Sequence, residues 1–178
     1  FSNVPAGYDP AELNASISPA TIRIAGAADT VDGIESVNAG FINLARVQLG
    51  KAETLKIQLS EGLVNVDDVQ EATVTFDTSG YGEPRAITVS DIRVVNAPSG
   101  VDVKVITESI NNVTLVGEAE ELAAISPSDV IAQVDASAQN ITVKGSGQQQ
   151  FSAQIIVTGT KTVFATGAYS VLCDITVK

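Results

Sequence analysis

The feature that most constrains this chain is an internal repeat with a period of 91–93 residues. Asn3-Val4-Pro5-Ala6-Gly7-Tyr8-Asp9 returns as Asn96-Ala97-Pro98-Ser99-Gly100-Val101-Asp102, with Asn, Pro, Gly and Asp in the same places. Thr21-Ile22-Arg23-Ile24-Ala25-Gly26-Ala27-Ala28 matches Asn112-Val113-Thr114-Leu115-Val116-Gly117-Glu118-Ala119. Val31 and Ile34 then fall on Leu122 and Ile125, and Val37 and Ala39 on Val130 and Ala132. Self-similarity in a fixed order marks a chain built from copies of one supersecondary unit. The expected organisation is a first module over 1–79, a linker over 80–85 and a second module over 86–178. The linker expectation rests on Asp77-Thr78-Ser79-Gly80-Tyr81-Gly82-Glu83-Pro84, which is turn chemistry without an apolar period. The strand over 86–95 has no counterpart in the first copy. That copy is therefore expected to lack its first strand.

Each copy reads as mainly β. The chain holds 23 Val, 16 Ile and 15 Thr, side chains that suit a pleated, half-buried surface better than a helix. Alternation at Leu55/Ile57/Leu59 and Cys173/Ile175/Val177 leaves one face buried and one wet. Strands are predicted at 22–24, 37–44, 55–59 and 72–76 in the first copy. In the second they fall at 101–107, 113–115, 130–135, 141–144, 151–157 and 169–177. The strand ending at Gly26 or Gly117 marks a close backbone approach or a positive φ. Short helical turns follow at 28–34 and 118–125, the second with Glu118, Glu120 and Glu121 in its first turn. The fold class is two tandem small β-sheet or barrel-like modules, each with one short helical turn. With five Phe, three Tyr and no Trp, their cores must be small and aliphatic.

Composition excludes several function classes. The net charge of −11 repels phosphate backbones, so no nucleic acid is expected as partner. Histidine is absent, which removes Ser-His-Asp and Cys-His arrangements. Cys173, the single cysteine, lies on an alternating strand and reads as a buried, inert thiol. Asp67-Asp68 with Glu71, and Asp29 and Asp32 with Glu35, lack the alternating oxygen ligands around a turn glycine that calcium loops use. Gly145-Ser146-Gly147 lacks the Gly-Lys-Ser/Thr of a phosphate loop and is expected as a hairpin turn between 141–144 and 151–157. No catalytic, cofactor-binding or metal-binding residue is assigned, and no cofactor is expected. The chain contains no methionine and starts at Phe1, so it is expected to be a piece of a longer protein. No apolar run approaches the ~18 residues a membrane helix needs.

Val113-Thr114-Leu115-Val116-Gly117, then Leu122 and Ile125, then Val130-Ile131-Ala132-Gln133-Val134-Asp135 resemble the signature of the YbbR-domain family. The first copy carries a weaker form, Ile22-Arg23-Ile24-Ala25-Gly26, Val31, Ile34, Val37-Asn38-Ala39 and Ile42-Asn43, with Asn43 where Asp is usual. The resemblance implies strings of such modules behind a membrane anchor, in bacterial proteins whose relatives regulate a membrane diadenylate cyclase. It implies no catalytic residues. On that basis the fragment is expected to be a non-catalytic, extracytoplasmic binding or regulatory module on the cell-surface side. Its partner would be a protein, the cyclase being the candidate, and its link to the membrane an anchor outside the fragment. The alternative is a structural spacer or adhesive stalk repeat of a surface protein.

Overall fold

The alternating β-branched segments become strands in the computed structural model, which describes residues 1–5 and 7–178. The fold is mainly β with a few short helices. Its contacts divide it into two units. The first holds Phe1–Ser2, Leu13–Asn43 and Val47–Ser79; the second holds Asn3–Glu12, Leu44–Arg46 and Gly80–Lys178.

In the first unit, β1 (Ala15–Ser18), β5 (Glu71–Phe76) and β3 (Glu53–Lys56) form an antiparallel sheet with β5 in the middle. Its central strand alternates strictly, burying Ala72, Val74 and Phe76 and exposing the residues between them. A second, two-stranded ribbon pairs β2 (Ile24–Ala25) with β4 (Val64–Asn65). The helical turn α1 covers Ala28–Val31. The strand expected over 37–44 is reduced to two isolated bridges, Asn38 to Gln58 and Ser2 to Asn43, the second parallel. The reason is local. The Asn38 side chain accepts the Gly40 N–H at 2.6 Å, and Gly40 turns to φ 96°, so an Asx turn replaces the ladder.

The second unit contains β6 (Arg85–Val89), β7 (Asp91–Val95), β8 (Val101–Val105), β9 (Ile110–Val116), β10 (Val130–Asp135), β11 (Ser146–Val157), β12 (Phe164–Thr166) and β13 (Tyr169–Val177). A five-stranded sheet runs β7-β10-β11-β13-β8, parallel between β7 and β10 and antiparallel elsewhere. A three-stranded sheet runs β12-β9-β6. Both turn apolar faces into one aliphatic core that includes Val89, Val113, Leu115, Val130, Val134, Phe151, Cys173 and Ile175. The helix α2 (Ala119–Ala124) buries Leu122. The Arg85 guanidinium donates to the carbonyls of Leu122 at 3.2 Å and Ile125 at 2.7 Å, satisfying acceptors a helix end leaves open.

Residues 80–85 are held within the second unit. Gly82 N–H donates to the Gly117 carbonyl and Ala119 N–H to that of Gly80, both at 3.0 Å, and Tyr81 bridges Glu118. The strand ends at Gly26 and Gly117 are close backbone approaches. A Cβ on Gly117 would overlap the Thr162 carbonyl and lie 2.7 Å from Val163 Cα; one on Gly26 would lie 2.8 Å from the Gly62 carbonyl.

The hairpin expected between 141–144 and 151–157 does not form. β11 starts at Ser146 and pairs with β13. Residues 140–142 are instead held by a side chain. Gln149 Oε1 accepts from Thr142 N–H at 2.9 Å and Thr142 Oγ1 at 3.1 Å, while Nε2 donates to the Asn140 carbonyl at 2.5 Å. The single strand expected over 86–95 is broken at Ser90 into β6 and β7, so that it serves both sheets of the unit.

Candidate functional site

Three carboxylates of the second unit are held by hydroxyl, amide and backbone donors. Glu121 accepts from the Thr160 and Thr162 hydroxyls, Asp129 from Ser126 and Asp135 from Ser137 and Asn96. These bonds hold all three carboxyls below their ordinary pKa. Such groups stay ionised and make weak bases, useful as caps and turn braces rather than for proton abstraction. The Asp135 of the sequence signature has this structural role, tying the end of β10 to Asn96 just beyond β7. Cys173 is buried in β13, and burial pushes its thiol pKa up, the opposite of a nucleophilic cysteine.

Three carboxylates of the two acidic clusters, Asp67, Asp68 and Asp29, are otherwise engaged. Asp67 accepts from Arg23 through the backbone N–H at 2.6 Å and Nε at 2.7 Å, and forms an ion pair with the guanidinium at 2.6 Å. Asp68 accepts from Gln70 Nε2 at 3.0 Å. Asp29 sits beside the Thr30 hydroxyl at 3.4 Å. Among the described residues, no three Asp, Glu or Cys side chains converge on one point. Gly145-Ser146-Gly147 leads into β11 rather than into a helix N-terminus, so it offers no phosphate cradle.

Two apolar hollows lie in the first unit. A cavity of about 280 Å³ is lined by Ile17, Ile22, Ile24, Ile34, Val37 and Ile57 with smaller neighbours, and has Thr21, Glu35 and Ser36 at its polar margin. A second hollow of about 240 Å³ lies among Phe1, Ile17, Ile42, Leu55 and Val74. Phe41 is 70% exposed, Val64 64% and Val66 50%. Isolated exposed apolar residues are ordinary, but here three large ones belong to the same small unit as the two apolar hollows. Sequence alternation places Ile22, Ile24 and Ile57 on a buried face, whereas in the structure they are only half-buried.

No helix among the described residues is long and apolar enough to cross a membrane. Residues 1–78 match the family model described as YbbR-like protein. A solved structure of a YbbR-like protein from Streptococcus pneumoniae TIGR4 aligns with 74% of the chain at 19% identity and a TM-score of 0.34. The chain spans 65% of the length of that protein. Comparison with curated proteins yields no match.

Proposed function

We propose, from the match of residues 1–78 to the YbbR-like family model, that the chain is a non-catalytic protein-binding module, part of a membrane-anchored bacterial protein and working outside the cytoplasm. Its partner is a membrane diadenylate cyclase, whose output it modulates through contact. The observation that carries this reading is the exposed apolar surface of a family-matched unit, with Phe41, Val64 and Val66 presented to solvent. Exposed aromatic side chains such as Phe41 are enriched at binding surfaces, where valines fill in around them. The carboxylates that lie beside hydroxyls are committed to caps and turns, which supports action by contact rather than by chemistry.

The test is co-purification of the intact membrane protein with the cyclase, alongside measurement of cyclic dinucleotide formation. The expected result is a stable complex and a changed rate of product formation, both lost in Phe41→Asp while the fold is kept. Loss of a hot-spot aromatic costs ≥ 2 kcal/mol, about a thirtyfold drop in affinity. Absence of a complex, together with an unchanged cyclase rate, overturns the proposal.

A further inference from the structure

The two units pair their strands in matching registers. Glu53, Thr54 and Leu55 face Val74, Thr73 and Ala72, as Phe151, Ser152 and Ala153 face Val171, Ser170 and Tyr169. Asn38 bridges Gln58 as Ile131 pairs with Ile156. Ser2 bridges Asn43 in parallel, as Val95 pairs in parallel with Asp135. The second unit therefore shows what occupies each place in the first.

One place differs. In the second unit β6 lies antiparallel to β9, with Ile87 opposite Val113 and Val89 opposite Ile110, both β6 side chains buried. The chain then continues as β7 along β10 up to Val95. By the repeat offset, the residues around β6 at 110–115 and 125–132 correspond to 19–24 and 34–39. Those two segments supply most of the wall of the 280 Å³ cavity, including Thr21, Ile22, Ile24, Ile34, Val37 and Ala39. The cavity lies where a strand sits in the other unit.

We propose that this cavity is the seat of a β-strand of the same polypeptide that enters the unit through Phe1. Ser2 already occupies the register position of Val95 and runs in the same direction relative to its partner. Followed backwards from Ser2, the strand continues beside 38–42 and then beside 19–24, and places alternate apolar side chains in the cavity. Ser2 already holds the far end of that strand's path through its parallel bridge to Asn43, which favours a source in the same chain. Strand addition of this kind joins main-chain hydrogen bonds along an open edge to side-chain pockets on one face.

A graft supplies the test. The sequence of residues 85–93, placed directly before Phe1, brings Phe1 and Ser2 into the positions of Val94 and Val95. Amide hydrogen exchange is then compared with that of the 178-residue chain. The expected result is at least tenfold slower exchange at 21–24 and 38–42. That slowing should vanish when the grafted copies carry Ile87→Asp and Val89→Asp. Unchanged protection of β13 shows in each case that the second unit remains folded. Unaltered exchange at 21–24 and 38–42 in the graft overturns the proposal. So does a dimer of the ungrafted chain in which those same amides are protected, since a second copy would then be the occupant. Neither readout involves a cyclase, so the result stands apart from the fate of the proposed function.

Discussion

Tyr8 shows how a single side chain is stabilised against its own chemistry. Its ring packs on Phe164 with centroids 4.4 Å apart and planes inclined at 46°. Its hydroxyl is buried, as is that of Tyr81, and neither meets a hydrogen-bond partner among the described residues. Burial first, and then the neighbouring Tyr81 phenol, raises the Tyr8 pKa far above the ordinary tyrosine value. A buried hydroxyl without a partner costs about 1–3 kcal/mol, which the ring's packing must exceed. Tyr8→Phe is therefore expected to be neutral or to stabilise by about 1 kcal/mol, and Tyr8→Ala to cost about 3–5 kcal/mol, both measured by urea unfolding. Because the folded pKa lies above the unfolded one, this contribution is complete below the unfolded value of about 10 and falls away at higher pH. Asp67 behaves in the opposite sense. The Arg23 side chain and backbone hydrogen bonds hold its pKa below the ordinary value, so its contribution is complete above the unfolded value of about 3.9 and lost as pH falls further. Asp67→Asn should flatten the acid limb of the first unit's stability profile, followed by circular dichroism between pH 5 and about 2. An identical acid limb in both proteins would show that the pair contributes nothing.

Between elements, the decisive interactions are often made by side chains acting as backbone. Gln149 stands on β11, yet its amide supplies 140–142 with the donor and acceptor of a missing ladder. Gln149→Ala should cost about 1 kcal/mol or less of global stability. It should nevertheless speed amide exchange at Thr142 severalfold while β11 and β13 stay protected; unchanged exchange at Thr142 would refute this role. The same pair of residues shows where sequence reading stops. Alternation identified β3, β5, β10 and β13 because burial on one face imposes a period of two wherever a strand lies on a core. Over 141–144 the apolar alternation is equally good, but the pairing partner of β11 is β13, with Ala153 opposite Tyr169 and Ser146 opposite Thr176, and no local signal encodes that choice. Over 37–44 the apolar pattern predicts a strand, whereas the Asn38 side chain and Gly40 turn the chain. The helical turns and the glycines at strand ends were legible because their constraints are local: a first-turn acid, or a Cβ with no room. The open cavity was legible only in part. The repeat reveals that residues 86–95 lack a counterpart, but not that Ile22, Ile24 and Ile34 line the space left.

At the level of the whole chain, the two units differ in how much apolar surface each buries. The second unit has a continuous cluster running through β6, β9, β10, β11 and β13 with α2 packed on it. In the first, the buried apolar residues are Leu13, Ile42, Val47, Ala72, Val74 and Phe76, while Phe41, Val64 and Val66 stay in solvent. Each fully buried Val, Leu, Ile or Phe contributes about 1.5–3 kcal/mol over an exposed one, so the first unit is expected to unfold at the lower denaturant concentration. The distribution of aromatics makes this measurable. Tyr8, Tyr81 and Tyr169 all belong to the second unit, and the chain has no tryptophan. Tyrosine fluorescence therefore reports the second unit, whereas far-ultraviolet circular dichroism reports both. Urea unfolding should lose part of the β signal first, with tyrosine emission and Cys173 reactivity changing only in a later transition. Cys173 lies buried in β13 and gives the second unit an independent chemical reporter. Coincident transitions by all three probes would mean that the chain unfolds as one cooperative body, and that the open side of the first unit does not limit its stability.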